Sequence, residues 1–132
     1  MQKSFADIEY LNRRRRTKRD KLLDAADRAI PWDECVRAIA PFYPSARFGR
    51  PAIGIETMLR MLVLQKVFGL SDSGIEEAIY DSYSMSRFMR INFIEEQAPA
   101  ASTLYRFKAR LVKHGLDKEV NEAIDKALSG IV

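Results

Sequence analysis

One cysteine and one histidine among 132 residues leave little for covalent or metal chemistry. Cys35 has no disulfide partner, and with His114 it falls short of the four ligands of a structural zinc site. No metal or other cofactor is therefore expected. A reducing, cytoplasmic compartment is the natural setting. Long apolar runs are missing too. The longest near the centre is Met61-Leu62-Val63-Leu64, far below the roughly 20 residues of a membrane span. The start, Met1 to Asp7, leads into charge rather than into the apolar stretch of a secretory signal. Neither a membrane partner nor export is expected. Alternating strand patterns are almost absent, which points away from a sheet.

No catalytic constellation is visible either. There is no Ser-His-Asp or Cys-His arrangement. Gly49-Arg50-Pro51 and Ser71-Asp72-Ser73-Gly74 lack the pattern of a nucleotide-binding phosphate loop. Glu76-Glu77 and Glu95-Glu96 are adjacent pairs whose side chains diverge, as on a solvated surface. Cys35 lies on an apolar helix face with Val36 and Ile39, where it reads as a small buried hydrophobe. His114 falls in the last turn of a helix, where a cation suits the macrodipole. The chain is expected to have no catalytic residue.

What the chain does have is positive charge, unevenly placed. Arg13, Arg14, Arg15, Arg16, Lys18, Arg19 and Lys21 put seven cations into nine residues. The net charge of +4 divides into +5 over residues 1–50, −3 over 51–98 and +2 over 99–132. Two basic ends flank an acidic middle, so the expected partner is a polyanion held by the ends. The run carries no aromatic residue for base stacking. Its arginines suit phosphates or a narrow minor groove of double-stranded DNA.

Helix signals recur along the rest. Residues 1–12 form a leader in which Phe5, Ile8 and Leu11 recur at spacing three. Thr17 to Ile30 forms one amphipathic helix, stopped by Pro31. Pro31 to about Ala40 forms a second, ended by Pro41 and Pro44. Residues 41–54 are irregular, and Arg47 and Arg50 lie inside them as further cations for DNA. Ile55 to Phe68 is apolar almost all round and belongs at the centre, with Gly69 as its C-cap. Ser71 or Ser73 starts a fourth helix, Ser73 with Glu76 reading as a capping box. Ser84 is placed to cap a short fifth helix from Met85 to Ile91. Ser102 is placed to cap a sixth, ended by Gly115-Leu116 in the pattern of a Schellman motif, and Asp117 a seventh. The fold expected is all-α, a single compact domain of about six to seven helices. Residues 1–21 would form leader and basic arm, and 22–132 the helical body.

Two elements compete to read DNA. The sixth helix carries Ser102, Thr103, Tyr105, Arg106, Lys108, Arg110 and Lys113 around its apolar seam. Its N-terminus would offer N–H groups to phosphate, and its early residues could reach base edges. The rival is Ile75 to Ile91, which has helix-turn-helix spacing, with Ala78, Phe88 and Ile91 inward and Arg87 and Arg90 toward DNA. It has Ser82 where a turn glycine is expected, and it is acidic at Glu76, Glu77 and Asp81. The sixth helix is therefore the stronger candidate.

Ser4-Phe5-Ala6-Asp7 with Tyr10 and the basic run, Ile30-Pro31-Trp32, and Gly49-Arg50-Pro51 followed by Glu56-Thr57-Met58-Leu59-Arg60 form an ordered series. Leu70-Ser71-Asp72, Glu76-Glu77-Ala78-Ile79-Tyr80-Asp81, Ser84-Met85-Ser86-Arg87-Phe88 and Lys113-His114-Gly115-Leu116 continue it. Over nearly the whole chain the series resembles the N-terminal region of bacterial insertion-sequence transposases of the insertion-sequence-five group. The resemblance implies a region that binds terminal inverted repeats and helps assemble protomers, joined in relatives to an RNase H-like domain with an Mg²⁺-holding Asp-Asp-Glu triad. The sequence stops at Val132, before the first catalytic aspartate is expected, so no triad residue carries over. It also has Pro99-Ala100-Ala101-Ser102-Thr103-Leu104 where relatives have an acidic Pro-Asp-Glu-Thr-Thr-like stretch. The expectation is a DNA-binding module, separately encoded or truncated, that regulates transposition or serves a catalytic domain encoded elsewhere. A homodimer through the leader or the seventh helix is expected from the two-fold symmetry of inverted repeats. The alternative is an interaction module whose helices mainly dimerise.

Overall fold

A computed structural model describes residues 17–44, 53–91 and 96–131. Seven α-helices and no strand occur among them. They are α1 (Lys18–Ala29), α2 (Trp32–Ile39), α3 (Ile55–Phe68), α4 (Asp72–Asp81), α5 (Tyr83–Phe88), α6 (Ala101–Lys113) and α7 (Asp117–Ser129). A short 3₁₀ turn, Ala40–Phe42, follows α2. The leader, Arg13–Arg16, Arg47, Arg50 and Glu95 lie outside the described residues.

α3 is the axis. Its residues from Met58 to Leu64 are all buried, as a helix apolar around its circumference requires. α2, α4 and α6 pack against it, α1 lies on α5 and α7, and α4 also lies on α5 and α6. One continuous core joins Leu23 and Ala26 of α1, Ile75 and Ile79 of α4, Leu104, Phe107 and Leu111 of α6, and Val120 and Ile124 of α7.

The helix ends show where local signals held and where packing overrode them. Gly69 takes the left-handed conformation (φ 63°) that closes α3. Gly115 does the same for α6 (φ 67°), and Leu116 N–H donates to Leu111 C=O at 2.8 Å, completing the Schellman bond. The N-caps differ from expectation. Ser71, not Ser73, caps α4, accepting from Gly74 N–H at 3.0 Å. A Cβ on Gly74 would sit 2.9 Å from that hydroxyl, so the cap needs the glycine. Ser82, not Ser84, caps α5, because the Ser84 hydroxyl is drawn to the buried Asp20 carboxylate. Leu116, not Asp117, precedes α7. Ala100, not Ser102, precedes α6 and offers no side-chain cap. The Glu76 carboxylate fills that role instead, accepting from Ala101 N–H at 2.7 Å. Glu76 therefore cannot complete a capping box with Ser73.

Candidate nucleic-acid interface

The end of the basic run that is described forms the first turn of α1. Thr17 caps it, and Asp20 completes the capping box by accepting from Thr17 N–H at 3.2 Å. Lys18 and Lys21 are exposed. Arg19 folds back, its guanidinium 5.1 Å from the Phe68 ring centre and donating to Ser82 at 3.3 Å.

α6 is thirteen residues with four cations and no acid. At about 100° per residue, Ser102, Tyr105, Arg106, Ala109, Val112 and Lys113 occupy one arc of roughly 120°. All six are exposed, opposite the buried seam of Leu104, Phe107 and Leu111. Tyr105 and Val112 are 65% and 63% exposed, the most of any large hydrophobic side chains among the described residues. Arg106 and Lys113 make no ion pair or hydrogen bond among the described residues. Arg106 also edges a groove of about 200 Å³ with Tyr43, Ile53, Met58 and Phe107.

The other cations of α6 serve the fold. The Lys108 ammonium bonds Asp72 and, at 3.0 Å, Gln65, clipping α6 to α3 and α4. That bond, helped by one from Gln65, holds the Asp72 carboxyl below its ordinary range against the opposing push of burial. Arg110 donates to Phe42 C=O at 3.3 Å, beside the Phe42 ring stacked on His114. Thr103 is half-buried. The helix N-terminus, expected to be open to phosphate, already holds the Glu76 carboxylate. An anion there gains from the same dipole a phosphate would use.

The rival element differs from its expected form. Ser82 alone joins α4 to α5, whereas a DNA-reading helix-turn-helix uses a three- to four-residue turn. α5 has six residues, under two turns. Its cations meet acids across a cleft of about 300 Å³ lined by Asp20, Asp24, Asp27 and Ser84. Arg87 pairs with Asp24 at 3.3 Å, and Arg90 with Asp27 at 3.6 Å and Glu56 at 3.7 Å. Arg90 sits at φ 58°, the left-handed position that glycine fills after α3 and α6. Ile91 N–H reaches Ser86 C=O at 3.3 Å, so this too is a Schellman ending, built on an arginine.

Behind this cleft lies a residue that the sequence did not single out for any role. Arg60 is 1% exposed. It donates to Glu56 at 3.1 Å, Phe88 C=O at 2.9 Å and Asp27 at 2.9 Å, and its guanidinium lies 4.4 Å from the Trp32 ring centre and 5.1 Å from that of Phe88. A cation within an otherwise apolar helix, four residues after a glutamate, is the signal that could have exposed it. Cys35 is buried, and that burial, with Glu34 and Glu119 nearby, raises its thiol pKa. Among the described residues no three His, Cys, Asp or Glu side chains converge as metal ligands, and no helix is long and apolar enough to cross a membrane.

The described residues form an all-α body whose Ala101–Lys113 helix carries no acid and turns one face outward. The family comparison gives it a place: the profile described as Transposase domain (DUF772) matches residues 11–110, and the chain belongs to that family. Its role is thus related to transposition. No solved structure matches the chain.

Proposed function

We propose that this chain is the DNA-binding module of an insertion-sequence transposase of the insertion-sequence-five group, whose full-length members use an Asp-Asp-Glu triad. It holds double-stranded DNA at the terminal inverted repeats and regulates transposition or works with a catalytic domain supplied separately. The observation that carries this reading is the α6 face, with two cations that have no partner among the described residues, two projecting apolar side chains and no acid. The run from Arg13 to Lys21 adds the charge that holds phosphates whatever the sequence. Strand cleavage is not assigned to this chain. Asp20, Asp27, Glu56, Asp72 and Glu76 are each held by a neighbouring donor and stabilise the helical body. The module acts in the cytoplasm as a homodimer, matched to inverted sites.

A second reading draws on one observation: the exposed Tyr105 and Val112 would also suit a protein interface. Self-pairing through α6 would bring Arg106 and Lys113 against their own copies, which favours an anionic partner.

The test is a fluorescence anisotropy titration of the chain on a short duplex over a range of salt. An arm covering about four phosphates contributes a slope near −3.6 to log K against log salt. Replacing Arg13–Arg16 with alanine should flatten the slope by about that amount and weaken binding to unrelated duplexes equally. An unchanged slope contradicts phosphate binding by the arm.

A further inference from the structure

Resting on the reading of α6 as a DNA-reading helix, we infer that its free face selects guanine with adjoining thymine. Arg106 is the specificity-determining residue, and Tyr105, Ala109 and Val112 form an apolar strip along which the methyl of an adjoining thymine packs. In the major groove guanine presents two acceptors, N7 and O6. Adenine and cytosine present an amino donor, and thymine a methyl group beside one acceptor. A helix that selects adenine or cytosine needs an acceptor such as Asn, Gln, Asp or Glu. The arc Ser102, Tyr105, Arg106, Ala109, Val112 and Lys113 contains none. Arg106 and Lys113 only donate, and the Ser102 and Tyr105 hydroxyls donate or accept and so discriminate little. The Arg106 fork matches N7 and O6 together and has no partner to leave among the described residues. Tyr105, Ala109 and Val112 lie along the arc beside it, and their carbon is left exposed among the described residues.

Geometry limits the site. From Tyr105 to Val112 the helix rises about 10 Å, close to three base steps of 3.4 Å each. The Glu76 carboxylate at the N-terminus of α6 disfavours a phosphate there, so contact falls on the arc rather than on the first turn.

The experiment is an in vitro selection of the full chain on a random duplex library, followed by anisotropy on the selected duplex and its variants. Expected is a core of about three base pairs with one guanine next to thymine. Arg106→Ala should lose roughly 5- to 160-fold of the preference for guanine at one position. Replacing the adjoining thymine by uracil, which removes one methyl, should weaken wild-type binding about fourfold. It should weaken a Tyr105→Ala/Val112→Ala variant less. Arg106 is exposed and makes no ion pair or hydrogen bond among the described residues, so circular dichroism and melting of Arg106→Ala should match wild type. A selected core that contains no G·C pair would overturn the inference while leaving the DNA-binding reading standing. So would an equal loss for every sequence on Arg106→Ala. Failure to bind any duplex would overturn both.

Discussion

α5 and α6 each carry arginines on a short amphipathic helix, and the sequence alone ranks them on little more than neighbouring charge. Their surroundings separate them. Around α5, Arg60, Arg87 and Arg90 face Asp20, Asp24, Asp27 and Glu56, so four carboxylates meet three cations. Around the α6 arc, Arg106 and Lys113 face solvent with no acid on the helix. A cation that is already paired gains less from a phosphate, because the existing partner must be given up or brought close to another anion. A positive residue becomes a contact for DNA through the absence of a partner, and that absence is a property of the tertiary structure.

The α5 side should break most easily at its buried hub. Arg60→Ala removes the nearer cation from Asp27 and Glu56 and the side-chain donor from the Phe88 carbonyl, and it empties the space between Trp32 and Phe88. The expected loss is about 3–5 kcal/mol, read as a lower urea midpoint. A loss below about 1 kcal/mol would mean that the acids of this cleft do not depend on Arg60.

The Schellman ending of α5 sharpens the same comparison with a smaller effect. Arg90→Gly and Arg90→Ala both remove the weak ion pairs, but only glycine relieves the left-handed backbone. The glycine variant should be more stable than the alanine variant by about 1 kcal/mol in thermal melts. Equal stability would show that no strain is held at position 90.

The clip between α6 and α4 should give the smallest change, and it depends on pH. The Asp72 pKa is lower in the folded protein than its unfolded value of about 3.9. Its contribution is therefore complete above that value and is lost as pH falls through the folded pKa. Urea midpoints measured between pH 5 and pH 2 should fall less steeply for Asp72→Asn than for wild type. Parallel curves would remove Asp72 from the acid response.

Much of this architecture was legible in advance, for physical reasons. The apolar circumference of Ile55–Phe68 could be satisfied only at the centre. Gly69 and Gly115 mark helix ends because the left-handed conformation strains other residues. The serine caps are less legible. Ser73, Ser84 and Ser102 each have the right chemistry, but the decisive partner lies elsewhere. Asp20 takes Ser84 from 64 positions away, and Glu76 takes the start of α6 from 25 positions away. The same holds for the candidate interface. The exposed arc of α6 follows from its period, whereas the engagement of Lys108 by Asp72 across 36 positions does not.

The comparison between the two helices is tested most directly by two double variants titrated against one duplex at one salt concentration. Arg106→Ala/Lys113→Ala removes the α6 cations that have no partner among the described residues, and Arg87→Ala/Arg90→Ala removes the paired cations of α5 and the turn after it. The account expects the first to weaken binding by about tenfold or more, equivalent to roughly 1.4 kcal/mol, and the second to stay within about twofold of wild type. Equal losses, or a larger loss from the α5 pair, would contradict it.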